Sequence, residues 1–545
     1  MKKAIIYLIL FSCVFTACKN KGSNPEKEKK EKEEKNISKR VLSITRANSY
    51  SDLFLDSLAM EKFIINKKVA DSLARRMRSF YNTRNYQFAW FASDGLTEQA
   101  REFWNLHEYY TTYLSDSSLL HDKKLQNKMG NLVAEEDLSV SASNKTMINT
   151  ELTLTLHFLE YNLKNYEKGY VKRKEMERFI PRKKEDPIYL ADSLLNKKHK
   201  DDKYFEDVNE TYKLLKNQLE KYTAIAKKGG WPTIPVEVVK VKKGTSSPSI
   251  VLLKKRLQVT GDLQVADTSA TFTDTLYNAI KNIEQRYGYT PDGKLSESLI
   301  KELNIPAIER VKQLLINMNR MRWTPPKPAG NLIIVNIPEF VLHTYEGKNK
   351  VFDMDVVVGK EGHNTVMFTG DLNQIVFSPY WNIPTSIVKK EILPAIEKDP
   401  GYLASQNMEI VNDNGNVPEI RQLPGPTNSL GKVKFLFPNS FNIYFHDTNA
   451  KSLFDRDKRA FSHGCIRLSE PVKMANYLLR DNAEWTPEKI NDAMNSGVEK
   501  YVKLKSPVPV FVSYYTAWVD EQGRLNFRED IYDHDKKMSK KMFSH

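Results

Sequence analysis

Cysteine is scarce: the 545 residues hold three, at positions 13, 18 and 465. A disulfide framework is excluded, because Cys13 and Cys18 belong to an N-terminal export-type segment and leave Cys465 as the one free thiol of the mature chain. CxxC and HExxH spacings are also missing from the mature chain, so nothing nucleates a zinc site. Long apolar runs are missing too. The longest, residues 4–15, falls short of the roughly 20 residues a membrane helix needs, and nothing after it comes nearer. Glycine (22) and proline (24) are too few for a fibre or a low-complexity chain. Acidic side chains are the minority, 68 against 83 basic, and the net charge of +15 favours anionic surroundings. Nucleic acid is not the expected partner, because the basic residues are dispersed. The one dense cluster, 27–35, is interleaved with glutamates and reads as a solvated spacer.

What is present is enough apolar material, 40% of the residues, for three or four packed domains. Lys2 and Lys3 precede the apolar run, and Phe15-Thr16-Ala17 leads into Cys18. This is a charge-then-apolar export signal. Its end resembles a bacterial lipoprotein box, which implies lipid on Cys18, although Phe15 stands where leucine is commoner. Residues 1–17 are therefore expected to be a signal peptide and 18–46 a charged tether. The body should be anchored to a membrane by lipid and lie outside the cytoplasm.

The body reads as multidomain α+β. Residues 47–243 form a helical scaffold, with leucine and aromatic residues at three- and four-residue spacing over 59–81 and 204–228. Gly229-Gly230-Trp231-Pro232 and Pro235 end it. Residues 244–306 carry three short helical stripes, at 250–257, 273–287 and 296–303. Through Arg256-Leu257, Tyr287-Gly288, Pro291-Asp292-Gly293 and Leu303-Asn304 this unit resembles the three-helix peptidoglycan-binding domain. It departs from that pattern at Ile283-Glu284, Ser296 and Leu299, which touches glycan binding more than fold. Residues 307–329 are a connecting helix and linker stopped by Pro325-Pro326. From 330 to 514 short β-branched and aromatic runs alternate with Gly, Pro and Asn, which predicts a mostly antiparallel sheet. A helical stripe at 384–400 lies within an insertion, about 379–428, that caps it. Residues 515–545 are charged and are expected to be a surface extension.

The chemistry concentrates in Ser462-His463-Gly464-Cys465-Ile466-Arg467 and His446-Asp447-Thr448. A thiol becomes a useful nucleophile as thiolate, and a neighbouring imidazole or cation supplies that state. Glycine beside the sulfur permits a tight turn. Three readings are open: a structural cysteine, a zinc site of His446, His463 and Cys465, and nucleophilic catalysis. The last uses base, thiol, cation and close backbone together.

These segments resemble the L,D-transpeptidases with the YkuD-type catalytic domain, in particular large Gram-negative members with a scaffold and a peptidoglycan-binding unit. The resemblance runs through Trp90-Phe91, Asp94-Gly95-Leu96, Asn317 to Trp323, Trp381-Asn382-Ile383-Pro384, Gln422 to Pro426, Asn428 to Gly431, Lys434 to Asn439, Tyr444 to Thr448 and Arg459 to Arg467, in family order. It implies Cys465 as nucleophile and His446 as general base, oriented by the backbone carbonyl of Asp447. The Asp447 carboxylate should face away, since neighbours on a strand point to opposite faces. It also implies backbone N–H groups of Gly464 and Cys465 as oxyanion donors, and substrate contacts from Arg467, His463, Ser462, Tyr444 and Trp381. The implied substrate is the peptide stem and glycan of peptidoglycan at the periplasmic face of the envelope. Cys465 would expel D-alanine from a tetrapeptide and pass the acyl group to an amine of a neighbouring stem. No cofactor or metal is called for, and carbapenem-type β-lactams would be covalent inhibitors. Water as acceptor would make a carboxypeptidase, cleavage of cross-links an endopeptidase, and a purely structural Cys465 a non-catalytic wall-binding lipoprotein.

Overall fold

The computed structural model describes residues 37–113, 122–135, 138–165, 179–196, 210–324, 330–413 and 416–544. The signal peptide, Cys18 and most of the tether lie outside them. Among the described residues no helix is long and apolar enough to cross a membrane.

The first half is helical: α1 (Ser57–Asn66), α2 (Asp71–Thr83), α3 (Glu98–Glu108), α4 (Lys123–Ala134), α5 (Lys145–Asn165), α6 (Pro187–Leu195) and α7 (Glu210–Lys227). The single stripe expected over 59–81 is broken in two, because Lys68 takes φ 50°, a left-handed conformation that ends a right-handed helix. α2 then buries a new stripe of Ala74, Met77, Phe80 and Tyr81. Trp90-Phe91 and Gly95-Leu96 meet in a small hairpin, β1 (Phe91–Ala92) and β2 (Gly95–Leu96). Glu151 of α5 fixes it, accepting the backbone N–H groups of Ala89 and Trp90 at 2.7 and 3.0 Å.

The three stripes after residue 244 are α8 (Pro248–Thr260), α9 (Asp274–Tyr287) and α10 (Glu297–Leu303). Ser247, Thr273 and Ser296 each accept a first-turn N–H with the side chain. Gly261 and Gly288 close the first two helices in left-handed conformations, as C-caps commonly do. α11 (Ala307–Met321) follows and packs against α6 and α7.

The second half is built on a sheet of β3 (Asn331–Asn336), β4 (Val341–Glu346), β5 (Asn349–Gly359), β6 (Phe368–Phe377), β10 (Val433–Leu436), β11 (Phe445–His446), β12 (Ala460–Ser462), β13 (Ile466–Leu468) and β14 (Lys500–Ser513). The strand order is β12-β5-β13-β11-β10-β6-β14-β3-β4, and β5 also pairs with β4 through its first half, so the two ends of the sheet share one strand. Six of these pairings are antiparallel and three parallel, so the sheet is mostly antiparallel. The parallel exception β11–β13 carries the site described below. α12 (Pro471–Leu479) and α13 (Pro487–Asn495) pack on the sheet through residues such as Met474, Ala475 and Ile490.

The insertion is a small unit of its own rather than a bare helix. β7 (Trp381–Asn382), β9 (Glu419–Gln422) and β8 (Met408–Asn412) form a three-stranded antiparallel sheet. It packs on a helical run of Thr385–Ile387, a π-helical Val388–Ile392 and Leu393–Lys398 around Ile383, Ile387, Ile392 and Ile420.

The expectation of a surface extension at 515–545 is corrected. β15 (Ala517–Val519) pairs with β16 (Leu525–Phe527), and α14 (His534–Met542) follows. Phe527, Tyr532, Met538 and Phe543 are buried, and this segment touches the scaffold, the three-helix unit, α11 and the large sheet. Arg286 of α9 donates to the Leu525 carbonyl at 3.1 Å, Asn317 of α11 to Thr516 Oγ1 at 2.8 Å, and Lys541 to Asp94 at 2.8 Å. Its charges hide an apolar stripe because many of them are spent on internal ion pairs. Arg320, 2% exposed, lies between Glu98 (2.7 Å) and Asp535 (2.5 Å). Arg320→Ala would strand two largely buried carboxylates, and the expected cost is about 3 kcal/mol, read as a lowered urea midpoint. A loss within experimental error would show that this junction does not hold the units together.

Candidate active site

In the parallel pair β11–β13, Phe445 faces Ile466 and His446 faces Arg467. One step earlier the Ile466 N–H reaches the Tyr444 carbonyl at 3.2 Å, which sets Cys465 beside Tyr444. Strand alternation sends Phe445 and Ile466, both 0% exposed, into the core. Tyr444, His446, Cys465 and Arg467 consequently share the other face. The Tyr444 ring stands 5.8 Å from that of His446. On β10, Lys434 lies across from His446, with its ammonium 3.3 Å from the Tyr380 carbonyl and 3.7 Å from Glu499.

The His446 imidazole is buried and its Nδ1 lies 2.6 Å from the Asp447 carbonyl oxygen. A carbonyl only accepts, so Nδ1 carries the proton and Nε2 keeps its lone pair. Burial first, and then the Arg467 charge, push the imidazole pKa down to about 3, against the opposing pull of the Asp447 carbonyl. The Asp447 carboxylate is turned elsewhere. It accepts from the Lys432 and Thr448 N–H groups at 2.9 and 2.7 Å and pairs with Lys451 at 2.7 Å.

Cys465 is partly exposed, with its sulfur 3.7 Å from the Asn442 carbonyl. Burial pushes its thiol pKa up, against the hydrogen bonds from Tyr444 and the Arg467 charge. Near neutrality both groups are thus uncharged, a thiol and a neutral imidazole on the same face of the strand pair. Alkylation of the free protein by iodoacetamide should accelerate with pH from about 6 to 9 without levelling off. A plateau beginning near pH 6 would reveal a resting thiolate–imidazolium pair and contradict this.

The Arg467 guanidinium is half-buried, makes no ion pair with any described residue, and its Nε is buried without a hydrogen-bond partner. His463 is exposed, 2.9 Å from Glu391 of the insertion, with its ring 4.9 Å from that of His363. Trp381 packs on the insertion's own core, and among the described residues no ring contact or hydrogen bond joins it to Cys465, Tyr444 or His446. Ser462 is corrected: it is 2% exposed, and its hydroxyl donates to the Cys465 carbonyl at 2.6 Å and accepts the Gly464 N–H at 3.1 Å. It staples the turn instead of lining a cleft. That bond also occupies the Gly464 N–H, which leaves the Cys465 N–H as the donor of this turn nearest the sulfur. Among the described residues no group of three His, Cys, Asp or Glu side chains converges on a metal position.

The family model of the L,D-transpeptidase catalytic domain, YkuD, matches residues 330–510. The chain carries an L,D-transpeptidase domain. A scaffold-domain model matches residues 75–219. A Haemophilus influenzae protein assigned as an L,D-transpeptidase is 32% identical over 255 residues, 44% of this chain and 50% of that protein, so the chain spans half the length of this relative. Solved L,D-transpeptidases from Mycobacterium smegmatis (16% identical, 34% of this chain and 59% of that one, TM-score 0.19) and Stackebrandtia nassauensis (14%, 52% and 96%, TM-score 0.22) are similar as well. Every residue of the site lies inside the L,D-transpeptidase domain.

Sequence reasoning missed three neighbours of the site: the Asn442 carbonyl at the sulfur, Lys434 beside His446, and Glu391 on His463. Lys434 stood within a quoted block, and strand alternation from His446 was the signal that could have found it.

Proposed function

We propose that the protein is a peptidoglycan L,D-transpeptidase whose nucleophile is Cys465 and whose general base is His446. One observation carries this: thiol, imidazole, phenol and guanidinium share one face of a parallel strand pair, with the imidazole's other nitrogen tied to a carbonyl. Nε2 takes the thiol proton as sulfur attacks the carbonyl carbon of the third residue of a tetrapeptide stem. A C–S bond forms, the C–N bond to D-alanine breaks, and the proton goes to the departing amine. An amine of a neighbouring stem then attacks the thioester, the C–S bond breaks, and sulfur recovers a proton through His446. Arg467 holds a stem carboxylate by paired hydrogen bonds. The Cys465 N–H faces the developing oxyanion. Carbapenem-type β-lactams acylate the same sulfur.

Placement at the periplasmic face, through lipid on Cys18, and wall binding by residues 244–306 complete the reading, since tethering raises the local concentration of an insoluble substrate. Purified tetrapeptide muropeptides answer the question by product mass. Cross-linked dimers are expected; tripeptides alone would mark a carboxypeptidase, and unchanged substrate with an alkylatable Cys465 would refute the enzyme.

A further inference from the structure

We propose that Thr365 and Tyr532 are positioning residues for the oxyanion donor, and that the C-terminal segment thereby reaches into catalysis; this deepens the preceding reading and rests on it. The peptide between Gly464 and Cys465 carries the donor N–H. No described peptide bond is cis, so the Gly464 C=O and the Cys465 N–H point in opposite directions within one rigid plane. Whatever fixes the carbonyl aims the N–H. Thr365 Oγ1 donates to that carbonyl at 2.8 Å and accepts the Gly359 N–H at 2.9 Å. Donation to the carbonyl also polarises the amide and strengthens its N–H as a donor.

Thr365 is itself held from the far end of the chain. Tyr532, buried, donates its hydroxyl to the Gly359 carbonyl at 2.5 Å and accepts the Thr365 N–H at 3.3 Å. Its own backbone N–H donates to Tyr514 Oη at 3.0 Å, and the Tyr514 hydroxyl donates to Asp530 at 2.7 Å. The loop 359–365 is already tight. A Cβ on Gly359 would stand 2.0 Å from the His363 carbonyl oxygen. Gly464 adopts φ +110°, a conformation that side chains rarely take, so the peptide plane is set by this environment and not by local preference. Lys360 N–H to the Ser462 carbonyl, 2.9 Å, ties the same loop to the other side of the turn.

The test separates two reactions of one sulfur. Alkylation by iodoacetamide proceeds at a saturated carbon and builds no oxyanion, whereas acylation by a tetrapeptide stem does. In Thr365→Val acylation should slow about 10-fold or more, since losing an oxyanion donor outright costs about 10²- to 10³-fold, while alkylation changes less than about twofold. Tyr532→Phe should show the same split to a smaller degree, and Thr365→Ser should restore acylation. Melting temperature identifies a variant that fails to fold, in which case Tyr532→Phe carries the comparison. Equal losses in both reactions, or unchanged acylation in Thr365→Val and Tyr532→Phe, overturn the proposal. A wild-type protein that alkylates normally but never acylates refutes the transpeptidase reading, and this proposal falls with it.

Discussion

Cys465→Ala is expected to abolish D-alanine release and dimer formation, a loss of at least about 10⁴-fold, because without sulfur no thioester divides the reaction into two accessible steps. The fold should survive. The thiol's hydrogen bond among the described residues is the long one to the Asn442 carbonyl, and its removal is expected to shift stability by less than about 1 kcal/mol. Product analysis beside a melting curve checks both halves. Binding to isolated sacculi should persist in the variant, since residues 244–306 are untouched. Undiminished turnover would leave the parallel strand pair as mere structure and favour a wall-binding protein.

The second large effect is expected at His446. His446→Gln removes the imidazole that shares the sulfur's face of the strand pair, and the acylation rate should fall about 10²- to 10⁴-fold. Asp447→Asn is the informative companion. If the carboxylate were the third member of a triad, its loss would approach that of His446. Here the carboxylate serves Lys432, Thr448 and Lys451, while the carbonyl that orients the imidazole belongs to the main chain and survives substitution. Asp447→Asn should therefore retain most of the acylation rate and lower thermal stability instead. An acylation loss equal to that of His446→Gln would mean that the carboxylate acts on the imidazole after all.

The thiol and imidazole of the candidate site were legible in sequence because both motifs are local, and strand alternation predicted which way Asp447 would turn. What alternation could not supply was the register that brings β11 beside β13, a contact made by hydrogen bonds between segments about twenty residues apart. Gly464 was legible as permitting a tight turn, yet that turn uses the Gly464 N–H, an expected oxyanion donor, and the Ser462 hydroxyl, an expected substrate contact, internally. Thr365 and Tyr532 were invisible for a plainer reason: they lie 99 and 173 residues from the groups they hold. The C-terminal segment misled because its lysines and aspartates mask Ile531, Tyr532, Met538 and Met542, a stripe spread over a turn and one short helix. The insertion's strands β8 and β9 escaped notice because they are short and carry polar residues on a half-exposed sheet.

The central claim is that an acyl group rests on this one sulfur. Rapid quenching of the protein with a tetrapeptide stem, followed by intact mass and peptide mapping, should show the stem less D-alanine on the peptide that contains Cys465, and nothing on Cys465→Ala. Product formation with no such adduct, or with the adduct on another residue, would contradict it.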